Sequence, residues 1–253
     1  MFDCLLLIPN VNLNLIVRSN RNNEKYMSWV SKTLNSTLGK KLLMALTGLF
    51  LILFLVVHLA GNLQLLLPDG GKSFNIYAET MASNPLIRVV SILNFTFILL
   101  HVVYAILLTK YNKKARPVGY AVTNPSGNSS WSSRSMGILG TLIFIFLLVH
   151  LRSFWYELKF GSVPFVTYDG VEYKDGYAIV AASYQNILFV VFYVISMGVL
   201  AFHLVHGFSS AFQTLGINHQ KYTPFIKKLG LVFAIVVPAL FALIPVVMFI
   251  QGS

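Results

Sequence analysis

Residues Leu42 to Leu67 read LLMALTGLFLILFLVVHLAGNLQLLL, a run without a formal charge and with one histidine, His58, in its second half. At about 1.5 Å per residue, this run exceeds the roughly 20 residues needed to cross a bilayer, so it predicts a membrane-spanning helix. Part of it recurs. TGLFLILFLVVH, ending at His58, is echoed by LGTLIFIFLLVH, ending at His150, and Gly48 and Gly140 each stand ten residues before the histidine. Two further apolar stretches carry His101, and His203 with His206. A histidine is costly in hydrocarbon, so an intramembrane one points to a function.

Composition agrees with a membrane protein. Of 253 residues, 56% are hydrophobic and 11% charged, with a mean hydropathy of +0.71, whereas about a quarter of a soluble domain is charged. The net charge of +11 comes from short clusters beside apolar stretches. They form no basic stripe with interleaved aromatics, which argues against nucleic acid. Cys4 is the only cysteine, so a cysteine-ligated iron–sulfur cluster within the chain is excluded.

Residues 1–40 form an N-terminal segment and residues 41–253 the membrane domain. The patch CLLLIPNVNLNLIV is too short and too polar to span, and no basic segment precedes it as in a signal peptide. Met27 opens MSWVSKTLNSTLGKK, whose apolar spacing and basic end suit an interfacial helix. Met27 is therefore expected to be the natural start, with residues 1–26 an extension of the gene model. After the first span, a loop from Pro68 to about Pro85 leads to a second span, Leu86 to Thr109. A Gly-, Pro-, Asn- and Ser-rich loop then precedes the third, Ser135 to Tyr156. Residues Glu157 to Asp175 read as an exposed loop or small hairpin. The fourth span is expected from about Tyr184 to Leu215 and the fifth from Leu229 to Ile250, which contains Pro238 and Pro245. The fold class is all-α, an integral membrane bundle of five transmembrane helices.

Of the 19 Lys and Arg, 14 fall in the N-terminal segment and the second and fourth loops. Only Lys72, Arg88, Arg152, Lys159 and Lys174 fall on the other side, together with six of the eight acids. The positive-inside rule then places the N-terminus in the cytoplasm and the C-terminus outside. Counting at about 1.5 Å per residue, His58 lies about 26 Å from Lys41 and His150 about 24 Å from Arg134. His101 lies about 14 Å from Lys110, with His206 about 15 Å and His203 about 20 Å from Gly216. Two tiers result, each drawing a histidine from two helices.

Such tiers suit two six-coordinate haems set on edge in a helical bundle, each iron held by an imidazole above and below. The expected pairs are His58 with His150, and His101 with His206. His203, one i,i+3 step from His206, is the alternative ligand or a partner to a propionate. Gly48, Gly61, Gly140 and Gly207, with Ala60, Ala105, Ser209 and Ser210, offer small surfaces for a macrocycle. His219 falls in a loop, where a solvated role is the default.

The segments MALTGLFLILFLVVHLAGNL and FHLVHGFSSAFQTLGINHQKY resemble the cytochrome b membrane anchor of bacterial succinate dehydrogenase and fumarate reductase, in its single-chain, five-helix, two-haem form. The resemblance covers about residues 27 to 250 and is most specific at HGFSSAFQTLG. It implies two haem b groups, an iron–sulfur subunit on the cytoplasmic face, a flavoprotein subunit that handles the dicarboxylate, and a quinone as electron partner in the bacterial cytoplasmic membrane. It assigns His58 and His150 to the outer haem, His101 and His206 to the inner. Some fumarate-reducing members carry a glutamate two residues before the fourth-span ligand; here that position is Leu204, which favours succinate oxidation. Asn62, Gln64, Glu79, Arg88, Arg152 and Trp155 are candidates for the quinone site, with interfacial anchoring as the competing role for each. Two other readings are the haem b anchor of another quinone-linked dehydrogenase, and a transporter using histidines for metal or protons. The transporter would be expected to carry intramembrane carboxylates, which the spans lack.

Overall fold

The computed structural model describes residues 29–115 and 130–252. The expectations for residues 1–26 and for most of the loop before the third span lie outside the described residues. The chain divides into two units, residues 1–40 and 41–253.

In the first unit, a short helix, Trp29–Asn35, stops at Ser36 and a new helix starts at Thr37. Ser36 makes the break: its hydroxyl donates to the Thr33 carbonyl at 2.6 Å and accepts from the Gly39 N–H at 3.0 Å, closing one helix while capping the next.

In the second unit, five helices among the described residues are long and apolar enough to cross a membrane: Thr37–Leu66, whose start belongs to the first unit, Pro85–Ala115, Met136–Phe160, Ile187–Thr214 and Thr223–Gly252. The protein is a multi-pass helical membrane protein. At 28 to 31 residues, the second, fourth and fifth exceed a hydrocarbon thickness of about 30 Å, so they tilt or project.

Two departures from the expected boundaries have local causes. The fourth span starts at Ile187 and not Tyr184, because Asn186 accepts from the N–H groups of Leu188, at 2.9 Å, and Phe189, which starts a fresh helix. Residues Gly176–Tyr184 form a separate helix, capped by Asp175 through the Ala178 N–H. The first loop is also partly helical, at Lys72–Ser83. Gly71 opens it with a φ of 85°, a left-handed conformation that a glycine adopts without strain.

The hairpin does form, with β1, Phe165–Tyr168, antiparallel to β2, Val171–Lys174. Asn75, only 1% exposed, ties this end together. Its amide donates to Asp175 at 3.0 Å and to the Tyr168 hydroxyl at 3.2 Å, and its carbonyl accepts from the Tyr177 N–H at 2.9 Å. Lys72 pairs with Asp169 at 2.8 Å across the same two loops, which raises the ammonium's pKa. Asp69 accepts from Ser73 and the neighbouring backbone N–H groups, and these bonds lower its carboxyl pKa.

The fourth and fifth spans pack most closely. Gly230 makes room for the Phe208 ring: a Cβ there would stand 2.6 Å from Phe208 Cδ1. Pro238 and Pro245 are buried inside the fifth helix, where neighbouring helices tolerate the lost hydrogen bonds. The second span is the opposite case. Asn94 is its one buried residue, and its other residues are exposed or only partly buried.

Candidate functional site: two histidine pairs inside the bundle

The first span presents His58 toward the third, where it meets His150. Their ring centroids stand 5.8 Å apart with an interplanar angle of 86°. The second span presents His101 toward the fourth, and the ring it meets is His203, with centroids 6.3 Å apart and planes at 64°. The expected partner, His206, is half-buried and is not that ring. A depth count along an axis carries no information about rotation around it. Residues three apart differ by roughly 60° in direction, and that turn takes His206 away from His101.

Both separations fall within the range of about 4.5 to 7 Å common to aromatic ring pairs. A direct N–H···N bond between imidazoles would bring the centroids to about 5 Å. One metal held by a nitrogen of each ring, at about 2 Å from each, puts them near 6 Å. Rotation about the nitrogen–metal–nitrogen axis leaves the interplanar angle free, so 86° and 64° both fit. Among the described residues no three or more His, Cys, Asp or Glu converge as a metal site. The histidines meet in twos.

The second ring nitrogen decides which nitrogen is bare. Thr47 Oγ1 donates to the carbonyl of Leu43 at 2.8 Å, which leaves its lone pair to accept from His101 Nδ1, 3.2 Å away. In that tautomer the proton sits on Nδ1 and Nε2 is bare. His150 Nδ1 lies 3.3 Å from the hydroxyl of buried Tyr193. The remaining two rings are held less firmly. Asn62 Nδ2 bonds the His58 carbonyl at 2.7 Å and reaches His58 Nδ1 only at 3.5 Å. His203 Nδ1 is buried and has no hydrogen-bond partner among the described residues. Each pair thus has one ring fixed by a hydroxyl.

The glycines of the echoed segments belong to the other tier. A Cβ on Gly48 would stand 3.4 Å from His101 Cε1, and one on Gly140 4.0 Å from His203 Cε1. Each echoed helix therefore carries a histidine of one pair and, ten residues earlier, a gap beside the other. Gly61 instead lies under Tyr77, and Gly207 meets no neighbouring atoms. Around His58 and His150 the lining is aromatic: Phe54 lies 5.1 Å from His58, Phe241 5.7 Å, Phe146 5.6 Å from His150 and Phe154 5.5 Å.

Right after His150, residues Leu151–Tyr156 form a π-helical turn, a form rare in proteins and frequent at functional sites. Of the quinone candidates, Asn62 touches His58, and Gln64 is half-buried in the 3-10 turn Leu63–Leu66 that follows. Arg152 pairs with Glu157 and lies over the Tyr156 ring, and Arg88 bonds the Ala82 carbonyl. Trp155 packs edge-on against Phe95, and Glu79 is exposed. No hydrogen bond or ion pair among the described residues links these six into one site.

Thr47 and Tyr193 are the site residues that sequence reading passed over. Their signal was a hydroxyl within a charge-free span, the group that satisfies a buried polar neighbour.

The chain matches no family model, no curated protein and no solved structure.

Proposed function

We propose that the chain is the membrane anchor and electron-transfer subunit of a succinate:quinone oxidoreductase, holding two haem b groups between an iron–sulfur subunit and a membrane quinone. The observation that carries the haem reading is the meeting of four histidines from four spans as two pairs, with imidazole separations of 5.8 and 6.3 Å that leave room for one metal between two rings. The assignment to succinate and quinone rests on the resemblance of the first span and of residues 202–222. Dicarboxylate chemistry belongs to a separate flavoprotein subunit.

The residues fit the group as follows. His58 and His150 would hold one iron, and His101 and His203 the other, with His203 replacing His206 of the sequence-based assignment. Haem b, when bound, supplies a one-electron carrier. Thr47 keeps His101 in the ligating tautomer and Tyr193 orients His150. The aromatic side chains around the first pair exclude water and lower the local dielectric, which tunes the potential of a bound iron. Asn62, in contact with His58, is the candidate nearest to that pair for hydrogen bonding a quinone oxygen. The position two residues before His203 is Ala201 and that before His206 is Leu204. Neither is a carboxylate, which supports succinate oxidation as the direction. In this reading the basic end faces the cytoplasm.

The test is extraction of the tagged chain from its native membranes in mild detergent, followed by addition of succinate. The expected result is co-purification of a flavin-bearing and a cluster-bearing subunit, and a b-type band that succinate reduces. Partners without succinate reduction would indicate another quinone-linked dehydrogenase. Haem-free protein that moves metal or protons in liposomes would overturn the proposal.

A further inference from the structure

We propose that the cavity between the fourth and fifth spans at the basic end of the bundle binds the phosphate headgroup of an anionic phospholipid. It holds about 180 Å³ and is walled by the last turn of the fourth span, the following loop and the first turns of the fifth. It is well below the roughly 300 Å³ at which pockets for drug-sized rings begin.

The lining chooses an anion. Asn218 uses its carbonyl oxygen to accept from Thr223 Oγ1 at 2.9 Å, so the open end of its amide is the donor NH2 group. Thr223 Oγ1 in turn accepts from the His219 N–H at 3.0 Å, which fixes the loop that carries Asn218. Gln213 adds a second amide and Lys227 an ammonium to the same wall. Lys227 makes no ion pair among the described residues, whose two ion pairs are Lys72 with Asp169 and Arg152 with Glu157. All carboxylates among the described residues, Asp69, Glu79, Glu157, Asp169, Glu172 and Asp175, lie at the other end of the bundle. Lys227 is exposed and carries its charge into the mouth of the cavity without a carboxylate partner among the described residues.

The level of the cavity chooses the source. It lies at the ends of two membrane-spanning helices, and basic pockets between transmembrane helices are suited to anionic headgroups. Phe212 and Ile226 give it apolar walls that the glycerol end of an acyl chain covers and a free anion leaves wet. The inference does not depend on the haem reading.

The test uses the full-length protein in an uncharged detergent, with thermal unfolding followed while lipid is added. Phosphatidylglycerol is expected to raise the midpoint, and phosphatidylcholine or inorganic phosphate at the same concentration to leave it unchanged. Lys227→Gln should weaken the apparent affinity for phosphatidylglycerol about fivefold, the loss of one basic contact to an anionic surface. Lys228→Gln, at the neighbouring lysine outside the cavity wall, should leave it unchanged. Native mass spectrometry should show phosphatidylglycerol retained by the wild type and depleted in Lys227→Gln. Equal effects of the two substitutions would reduce the site to surface charge and overturn the proposal. Stabilisation by phosphatidylcholine, or by inorganic phosphate alone, would also overturn it.

Discussion

The two histidine pairs have opposite surroundings. His58 and His150 sit among Phe54, Phe146, Phe154 and Phe241, with Tyr193 on the second nitrogen of His150. His101 and His203 face the bare backbones of Gly48 and Gly140, with Thr47 on the second nitrogen of His101. The first pair is shaped by large rings that fill space, the second by missing side chains that leave it. In the proposed function, a dry aromatic wall and an open glycine wall would give two bound irons different dielectric surroundings and hence different potentials.

The largest expected effect breaks one pair and spares the other. His58→Ala or His150→Ala should remove the first haem, and His101→Ala or His203→Ala the second, each costing about half of the reduced b-type absorbance. His206→Ala should keep both bands, so the visible spectrum of the purified variants separates His203 from His206.

Next come the glycines, which exchange the effect between tiers. Gly48→Leu and Gly140→Leu stand beside His58 and His150 in sequence but beside His101 and His203 in space. Both should abolish the redox transition of the second pair and leave that of the first. Loss of the first transition instead would contradict the crossed arrangement.

Smaller effects should follow from the hydroxyl partners. Thr47→Val should weaken haem retention at the second pair, and Tyr193→Phe at the first, each by about 10- to 100-fold, the usual cost of losing an outer-shell partner. Titration of apoprotein with haem would measure both.

At the acidic end, Asn75→Ala should leave both spectra intact while costing about 1 to 3 kcal/mol in thermal unfolding, because Asp175 and the Tyr177 N–H lose a buried partner. The least effect is expected from Asp69, whose carboxyl pKa is lowered in the fold. A carboxyl of this kind contributes stability above its unfolded pKa and loses it as pH falls through the lowered folded value. Asp69→Asn should therefore flatten the acid limb of a stability profile and leave neutral pH nearly unchanged.

The spans and the first pair could be read from the sequence because hydrophobic length and an echo in spacing both survive projection onto one dimension. His150 repeats the setting of His58, so equal depth implied a partner. The partner of His101 was not legible in the same way. His203 and His206 are both within reach by depth, and the choice depends on how the fourth helix is rotated by packing against the fifth, where Phe208 seats on Gly230. The start of that helix depended on the Asn186 cap, and the helix in the first loop on Gly71, features that an apolar run does not encode. The quinone candidates were chosen for polarity near one membrane edge. The structure gives them separate partners, such as Glu157 for Arg152 and the Ala82 carbonyl for Arg88.

The most direct measurement is the haem content of the purified chain, with a redox titration followed by visible and low-temperature paramagnetic resonance spectra. Two b-type haems per polypeptide, with two separable transitions and low-spin signals from paired imidazoles, are the predicted result. A chain without haem, with a single haem, or with high-spin signals from singly ligated iron would contradict the pairing of His58 with His150 and of His101 with His203.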